Sequence, residues 1–253
     1  MKFLRYEQQG SVSWGWYFED KIGKIEGNIF ENYRRFEANI SISDVKLLPS
    51  VLPTKIICIG RNYASHAAEH KVDVPEIPLI FLKPPSSLIG KNEKIVLPPQ
   101  SNQVEHEAEL GVVIGKRGRW IDPETADDYI FGYTIANDVT ARDLQRLDGQ
   151  WTRGKGFDTF CPVGPFIDTE FDPSDALITC KVNHQVRQMG STRDMVFPVE
   201  KLIAFISSVM TLEPGDLILT GTPAGVGVLS DNDIVEIEIE GLGILNNHVS
   251  LHE

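Results

Sequence analysis

The stretch Val104–Gly115, V-E-H-E-A-E-L-G-V-V-I-G, limits what this chain can fold into more than any other. Its second half, Leu110 to Ile114, is apolar and β-branched, the composition of a buried strand. Its first half sets acids at Glu105, Glu107 and Glu109, and alternate strand residues point to one face. Carboxylates lined up on a face that enters a core repel one another unless a cation sits between them. A metal is one reading. A solvated strand end is the other, because charged residues are common at strand edges.

Length and charge narrow the field. A chain of 253 residues fits one large α/β or β-rich domain, or such a domain with a small appendage. With 42% hydrophobic residues it can bury a substantial core without staples. A formal charge of −12 argues against nucleic acid or an anionic membrane as partner. Small anionic substrates stay open, since a metal with local Arg and Lys can reverse the sign inside a pocket. The three cysteines form no C-x-x-C and read as a reduced interior. The first residues, M-K-F-L-R-Y, carry charge where a signal peptide is apolar. No apolar run approaches the roughly 20 residues of a membrane span. The expectation is a soluble, cytoplasmic protein.

Residues 1–52 read as a small β-rich region of short alternating runs, closed by the proline-bracketed Leu48-Pro49-Ser50-Val51-Leu52-Pro53. Residues 53–253 form the main domain. Strands are predicted at Lys55–Gly60, Leu79–Lys83, Tyr129–Asp138, Pro162–Ile167, Leu177–Asn183, Leu217–Thr220, Ile234–Ile239 and Ile244–Val249, with a helix over Val199–Met210. Ser65 is placed to cap a short helix carrying His66, Glu69 and His70 on one face. Val139–Leu147 reads as a helical turn or two, and Trp151–Asp158 as an irregular basic-aromatic loop. Strands outnumber helices, so the predicted class is mixed α+β and strand-dominated, not doubly wound.

Several chemistries lack their signatures. There is no G-x-S-x-G elbow, no G-x-G-x-x-G opening a helix, and Gly221–Gly227 lacks the Lys-Ser/Thr of a phosphate loop. His66-Ala67-Ala68-Glu69-His70 does match the inverted zinc-peptidase pattern, but five-residue patterns with three fixed positions arise by chance, and a polar surface helix is the plainer explanation. The carboxylates speak more strongly. Glu107 and Glu109 share a strand face and Asp138 ends a second strand. Three carboxylates without a nearby cysteine suit a hard cation, Mg²⁺ or Mn²⁺, acting as a Lewis acid on a chelating oxo-acid. Arg142 and Gln145 follow Asp138 closely, and Lys155 lies in a loop with no apolar reason to be there.

Six motifs in order then resemble the fumarylacetoacetate hydrolase family in its short branch: G-R-N-Y-x-x-H-x-x-E (Gly60 to Glu69), F-L-K-P (Phe81 to Pro84), H-E-x-E-L-G-V-V-I-G (His106 to Gly115), N-D-V-T-A-R-D-x-Q (Asn137 to Gln145), K-G-F-D-x-x-x-P-x-G-P (Lys155 to Pro165) and G-D-x-I-x-T-G-T-P-x-G-V-G (Gly215 to Gly227). The resemblance implies a mixed β-sandwich or rolled sheet, usually homodimeric, with the metal at one mouth. It implies Glu107, Glu109 and Asp138 as metal ligands, and Arg61, Arg142, Gln145 and Thr222 as substrate-binding residues. Lys155 would stabilise developing negative charge, and His66 with Glu69 would form a catalytic dyad on a lid helix. Lys83 matches a motif as support of the pocket; Glu105 and His70 match none. The implied activity is Mg²⁺/Mn²⁺-dependent cleavage of the C3–C4 bond of small 2-oxo acids through a metal-bound enolate, by acylpyruvate hydrolysis or oxaloacetate decarboxylation. The alternative is isomerisation of 2-hydroxyhepta-2,4-diene-1,7-dioate. A zinc peptidase using His66 and His70, or a non-enzymatic binding protein, would be a remote departure from it.

Overall fold

The computed structural model describes residues 1–69 and 71–252; His70, and with it the zinc pairing to His66, lies outside the described residues. The class is the strand-dominated one the sequence implies. Antiparallel neighbours β1 (Lys2–Gln8), β2 (Ser11–Phe18), β3 (Lys21–Gly27) and β4 (Tyr33–Ser41) are followed by the short β5 (Lys46–Leu48). The chain continues with β6 (Ile56–Gly60), helix α1 (Ala64–Glu69), β7 (Leu79–Lys83), β8 (Leu88–Ile89) and β9 (Lys94–Leu97). Next come β10 (Val104–His106), β11 (Ala108–Ile114), β12 (Ile130–Asn137), β13 (Thr140–Ala141) and helices α2 (Arg142–Asp148) and α3 (Thr152–Lys155). The chain closes with β14 (Cys161–Asp168), β15 (Leu177–Val182), β16 (Gln185–Ser191), α4 (Val199–Val209), β17 (Leu217–Leu219), β18 (Gly227–Val228), β19 (Ile234–Ile239) and β20 (Gly243–Leu251).

One large sheet runs β4-β3-β2-β1-β14-β12-β11-β17-β6-β7, and a second runs β16-β15-β19-β20-β9. The main core lies between them, where Leu110, Val112, Ile135, Ile178, Ile237 and Leu245 are all but inaccessible. Residues 1–48 join the same large sheet, because Lys2 and Phe3 of β1 pair with Asp168 and Ile167 of β14. The proline-bracketed linker is also tied down. Ser50 and Val51 are buried, and the Ser50 hydroxyl lies 3.1 Å from that of Thr134.

The Val104–Gly115 stretch is not one strand. It breaks at Glu107, so that β10 pairs with β13 and β18 in a small third sheet while β11 enters the large one. Side chains cause the break. The Glu107 N–H donates to Asn137 Oδ1 (2.9 Å) and the Ala108 N–H to Gln188 Oε1 (3.0 Å), replacing ladder bonds at two successive residues. The bend brings Glu107 beside the end of β12, where the Asp138 N–H donates to the Glu107 carbonyl.

Two local readings need correction. Ser65 lies inside α1, not at its cap, and the first turn is closed by the Ala67 N–H donating to the Tyr63 carbonyl. The basic-aromatic stretch after Trp151 is not wholly irregular: Thr152–Lys155 forms a helical turn. A glycine there matters, since a Cβ on Gly154 would fall 2.9 Å from the Gln145 backbone of α2.

Candidate active site

The acids meet at the end of β11. Ligand atoms of Glu107, Glu109 and Asp138 all lie within 4.8 Å of one another, and each residue is buried. Opposing charge is arranged around them. Lys155 Nζ donates to Glu107 Oε2 (2.7 Å) and Asp138 Oδ2 (2.6 Å). Lys83 Nζ donates to Asp138 Oδ1 (2.6 Å) and to the Val139 carbonyl (3.0 Å). Arg142 donates through Nη2 to Glu107, through Nε to Glu105 Oε2 (2.8 Å) and through Nη1 to Gln145 Oε1 (2.6 Å).

These neighbours divide the carboxylates. Burial alone would raise the Glu107 proton affinity, but Lys155 and Arg142 outweigh it and hold its carboxyl well below the usual range. Glu109 goes the other way. Burial, and then the charges of Asp138 and Glu107, push its carboxyl well up, with the Gly221 N–H at 2.7 Å as its hydrogen-bond donor. Four buried carboxylates (Glu105, Glu107, Glu109, Asp138) face three buried cations (Lys83, Arg142, Lys155). Glu109 is the carboxyl left over in that count, and burial beside Asp138 and Glu107 favours its protonated form. An all-oxygen trio with one carboxyl left over fits a hard divalent cation, which would displace that carboxyl's proton and turn the cluster net positive, ready for an anion.

The trio forms part of the lining of a cavity of about 400 Å³, which His66, Arg61, Arg142, Gln145, Lys155 and Thr222 also line. The structure thus brings together residues scattered from 61 to 222. Glu69 reaches this group through His66: its Oε2 lies 3.5 Å from His66 Nδ1, and its carboxylate accepts the Gly225 N–H at 3.2 Å. Arg61 has a left-handed backbone (φ 59°) at the end of β6, a conformation uncommon outside glycine. Its guanidinium stands 5.9 Å from the Trp151 ring. Gly60 makes room for that ring, because a Cβ there would fall 2.7 Å from it.

Thr222 is less free than a substrate-binding hydroxyl need be. Its Oγ donates to the Ala108 carbonyl (2.8 Å) and accepts from Gln188 Nε2 (2.7 Å). Gln188, wholly buried in β16, also donates to the Pro223 carbonyl and lies 2.9 Å from His106 Nδ1. It gave no sign in the sequence, standing beside Arg187 and near Gln185 in a strand whose polar residues look alike. Glu105 was visible as the third acid on the face, but its partner Arg142 lies far along the chain.

The model of the fumarylacetoacetate (FAA) hydrolase C-terminal domain matches residues 55–250. The chain belongs to the fumarylacetoacetate hydrolase family. A second model, named Rv2993c-like N-terminal, matches residues 1–49. Within the family, bovine mitochondrial oxaloacetate tautomerase FAHD2A is 47% identical over 215 residues, covering 80% of this chain and 68% of that protein. Among solved structures, a 5-carboxymethyl-2-hydroxymuconate delta-isomerase from Mycobacterium smegmatis is 43% identical with a TM-score of 0.92, over the full length of both chains. A 2-hydroxyhepta-2,4-diene-1,7-dioate isomerase from Mycobacterium marinum is 42% identical with a TM-score of 0.92, covering 99% of this chain and 98% of that one. Fumarylacetoacetate hydrolase family members are enzymes of small organic acids, and a buried Glu-Glu-Asp group suited to a divalent cation is present here.

Proposed function

We propose that this chain is an Mg²⁺- or Mn²⁺-dependent enzyme that forms the enolate of a small 2-oxo acid and cleaves its C3–C4 bond, by acylpyruvate hydrolysis or oxaloacetate decarboxylation. The observation that carries the reading is the meeting of the buried Glu107–Glu109–Asp138 trio, a buried Lys155 and a carboxylate-paired His66 around one cavity. A divalent cation held by the trio would supply Lewis-acid polarisation of a chelating 1-carboxylate and 2-oxo pair.

The remaining work falls to the chain's own side chains. Burial would lower the Lys155 ammonium, but Asp138 and Glu107 outweigh it and raise its pKa, so it stays charged at neutral pH. In this role it stabilises the negative charge that gathers on the 2-oxo oxygen as the C3–C4 electrons move onto C3. Arg142 fixes the Gln145 carbonyl oxygen and leaves that side chain's NH₂ to meet substrate. Glu69 Oε2 stands 3.5 Å from His66 Nδ1, and a proton held on Nδ1 toward that carboxylate leaves Nε2 as the basic nitrogen. In acylpyruvate hydrolysis Nε2 takes a proton from the water that attacks C4, and returns it to C3 after the carboxylic acid has left. In decarboxylation CO₂ departs without that water, and His66, protonated from solvent, delivers the proton to C3 that completes pyruvate.

The tautomerase and isomerase names of the relatives favour a second reading, in which His66 only moves a proton at C3 and no C–C bond breaks. The same proposal makes residues 53–253 the catalytic part, residues 1–52 a β-rich extension of it, and the working form a cytoplasmic homodimer. Acetylpyruvate and oxaloacetate, each supplied with Mg²⁺ and with chelator, test it. Metal-dependent pyruvate release supports cleavage; ketonisation of enol-oxaloacetate without pyruvate selects the second reading. Turnover that ignores the chelator would sink both. His66→Ala is expected to lower kcat by about 10²–10⁴-fold while oxalate binding persists.

A further inference from the structure

Beside His66 and the half-buried Arg61, six ionisable residues line the cavity, and they fall into two groups. Glu107, Glu109, Asp138, Arg142 and Lys155 are buried and already engaged with one another. Arg146 also lines the cavity, but it is exposed, one residue past Gln145 on α2. Its neighbours on that helix are spoken for: Asp143 accepts from Ser101 and from Asn102, and Asp148 accepts from Arg153. The hydrogen bond described for Arg146 is a long one, from Nη1 to Gln103 Oε1 at 3.3 Å. Gln103 in turn donates from Nε2 to Glu105 Oε1 (2.6 Å), and Glu105 holds Arg142. A chain of contacts therefore orients a solvated guanidinium from the same network that sets the floor, without neutralising it by a carboxylate.

We infer that Arg146 is a specificity residue, reading a second, distal carboxylate on the substrate. The inference rests on the proposed function, which puts the 2-oxo acid end of the substrate against the acidic trio. A substrate seated there extends toward the solvent side of the cavity, where Arg146 supplies a donor fork matched to a carboxylate. Arg61, with its guanidinium over Trp151, adds positive charge to the same lining. The substrate class is then a 2-oxo dicarboxylate in preference to a neutral-tailed acylpyruvate. Because the guanidinium is exposed, its effect is modest and salt-sensitive.

Binding of a matched pair separates this inference from the catalytic one. With Mg²⁺ present, 2-oxoglutarate and 2-oxopentanoate differ only in a terminal carboxylate against a methyl. The wild-type chain should bind the dicarboxylate about two- to fivefold more tightly, a preference that shrinks in high salt. Arg146→Ala should abolish the preference by weakening the dicarboxylate alone, and Arg146→Lys should keep part of it. Equal affinities in the wild type, equal weakening of both ligands in Arg146→Ala, or failure of either ligand to bind would overturn the inference. A preserved preference in a protein that neither cleaves nor ketonises oxaloacetate would overturn the proposed function and leave the role of Arg146 standing.

Discussion

Lys83 makes no approach to solvent, yet it shares Asp138 with Lys155. Removing one member of a buried ion pair typically costs about 3–5 kcal/mol, because the other charge is left unpaired. Lys83→Met should lose stability on that scale in metal-free buffer, and the deficit should shrink when Mg²⁺ takes over part of the compensation. Melting curves with and without Mg²⁺ measure this, and equal deficits in the two would contradict it. Lys83 also shows where residue-level reading stops. The three ligand carboxylates were legible because alternation and a strand end are local patterns. Lys83 stood in a recognisable motif, but nothing local says that its ammonium crosses to Asp138, 55 positions on. Glu105 was visible as an acid, but its role was not, since its partner Arg142 lies 37 positions away.

At the scale of elements, the break between β10 and β11 positions the site. A continuous strand would keep the ladder at Glu107, whereas here Asn137 and Gln188 take the two amides. Gln188→Leu leaves the Ala108 N–H and the Pro223 carbonyl to find other partners, and an unsatisfied buried group costs about 1–3 kcal/mol. The variant should melt earlier, and hydrogen exchange at Ala108 should speed up more than at Val112, deeper in the same strand. Unchanged exchange at Ala108 would show that the ladder does not depend on Gln188. Strand positions were largely legible, because period-two alternation and proline stops survive in the sequence; Pro84 ends β7 as expected. Seven short or polar strands, β4, β5, β8, β9, β13, β16 and β18, were not. Their alternation is blurred by exposed, charged positions such as those of Tyr33–Ser41, and pairing partners supplied by distant strands decide them.

Across the whole molecule, the one carboxyl left over in the acidic cluster, Glu109, ties stability to divalent cation. At a hundredfold excess over its Kd, a ligand of the native state adds about 2.7 kcal/mol, or about 5–10 °C in Tm for a chain of this size. Mg²⁺ should raise the melting temperature on that scale. Glu109→Gln should erase the shift and cost little in metal-free buffer, where burial already favours the protonated carboxyl. A full Mg²⁺ shift in that variant would remove Glu109 from the metal site. The order of the large sheet carries a different consequence, felt during synthesis. Strand β11, the bearer of Glu109, has β17 as its second neighbour, with Gly111 opposite Leu219, and β6 is joined to the sheet through that same late strand. On a ribosome making about 5–20 residues per second, roughly a hundred residues separate the two strands, so an apolar edge stands open for about 5–20 s. The nascent enzyme is thus exposed to miscoupling and to chaperone capture until its last quarter has emerged, and only then can its acidic trio be enclosed.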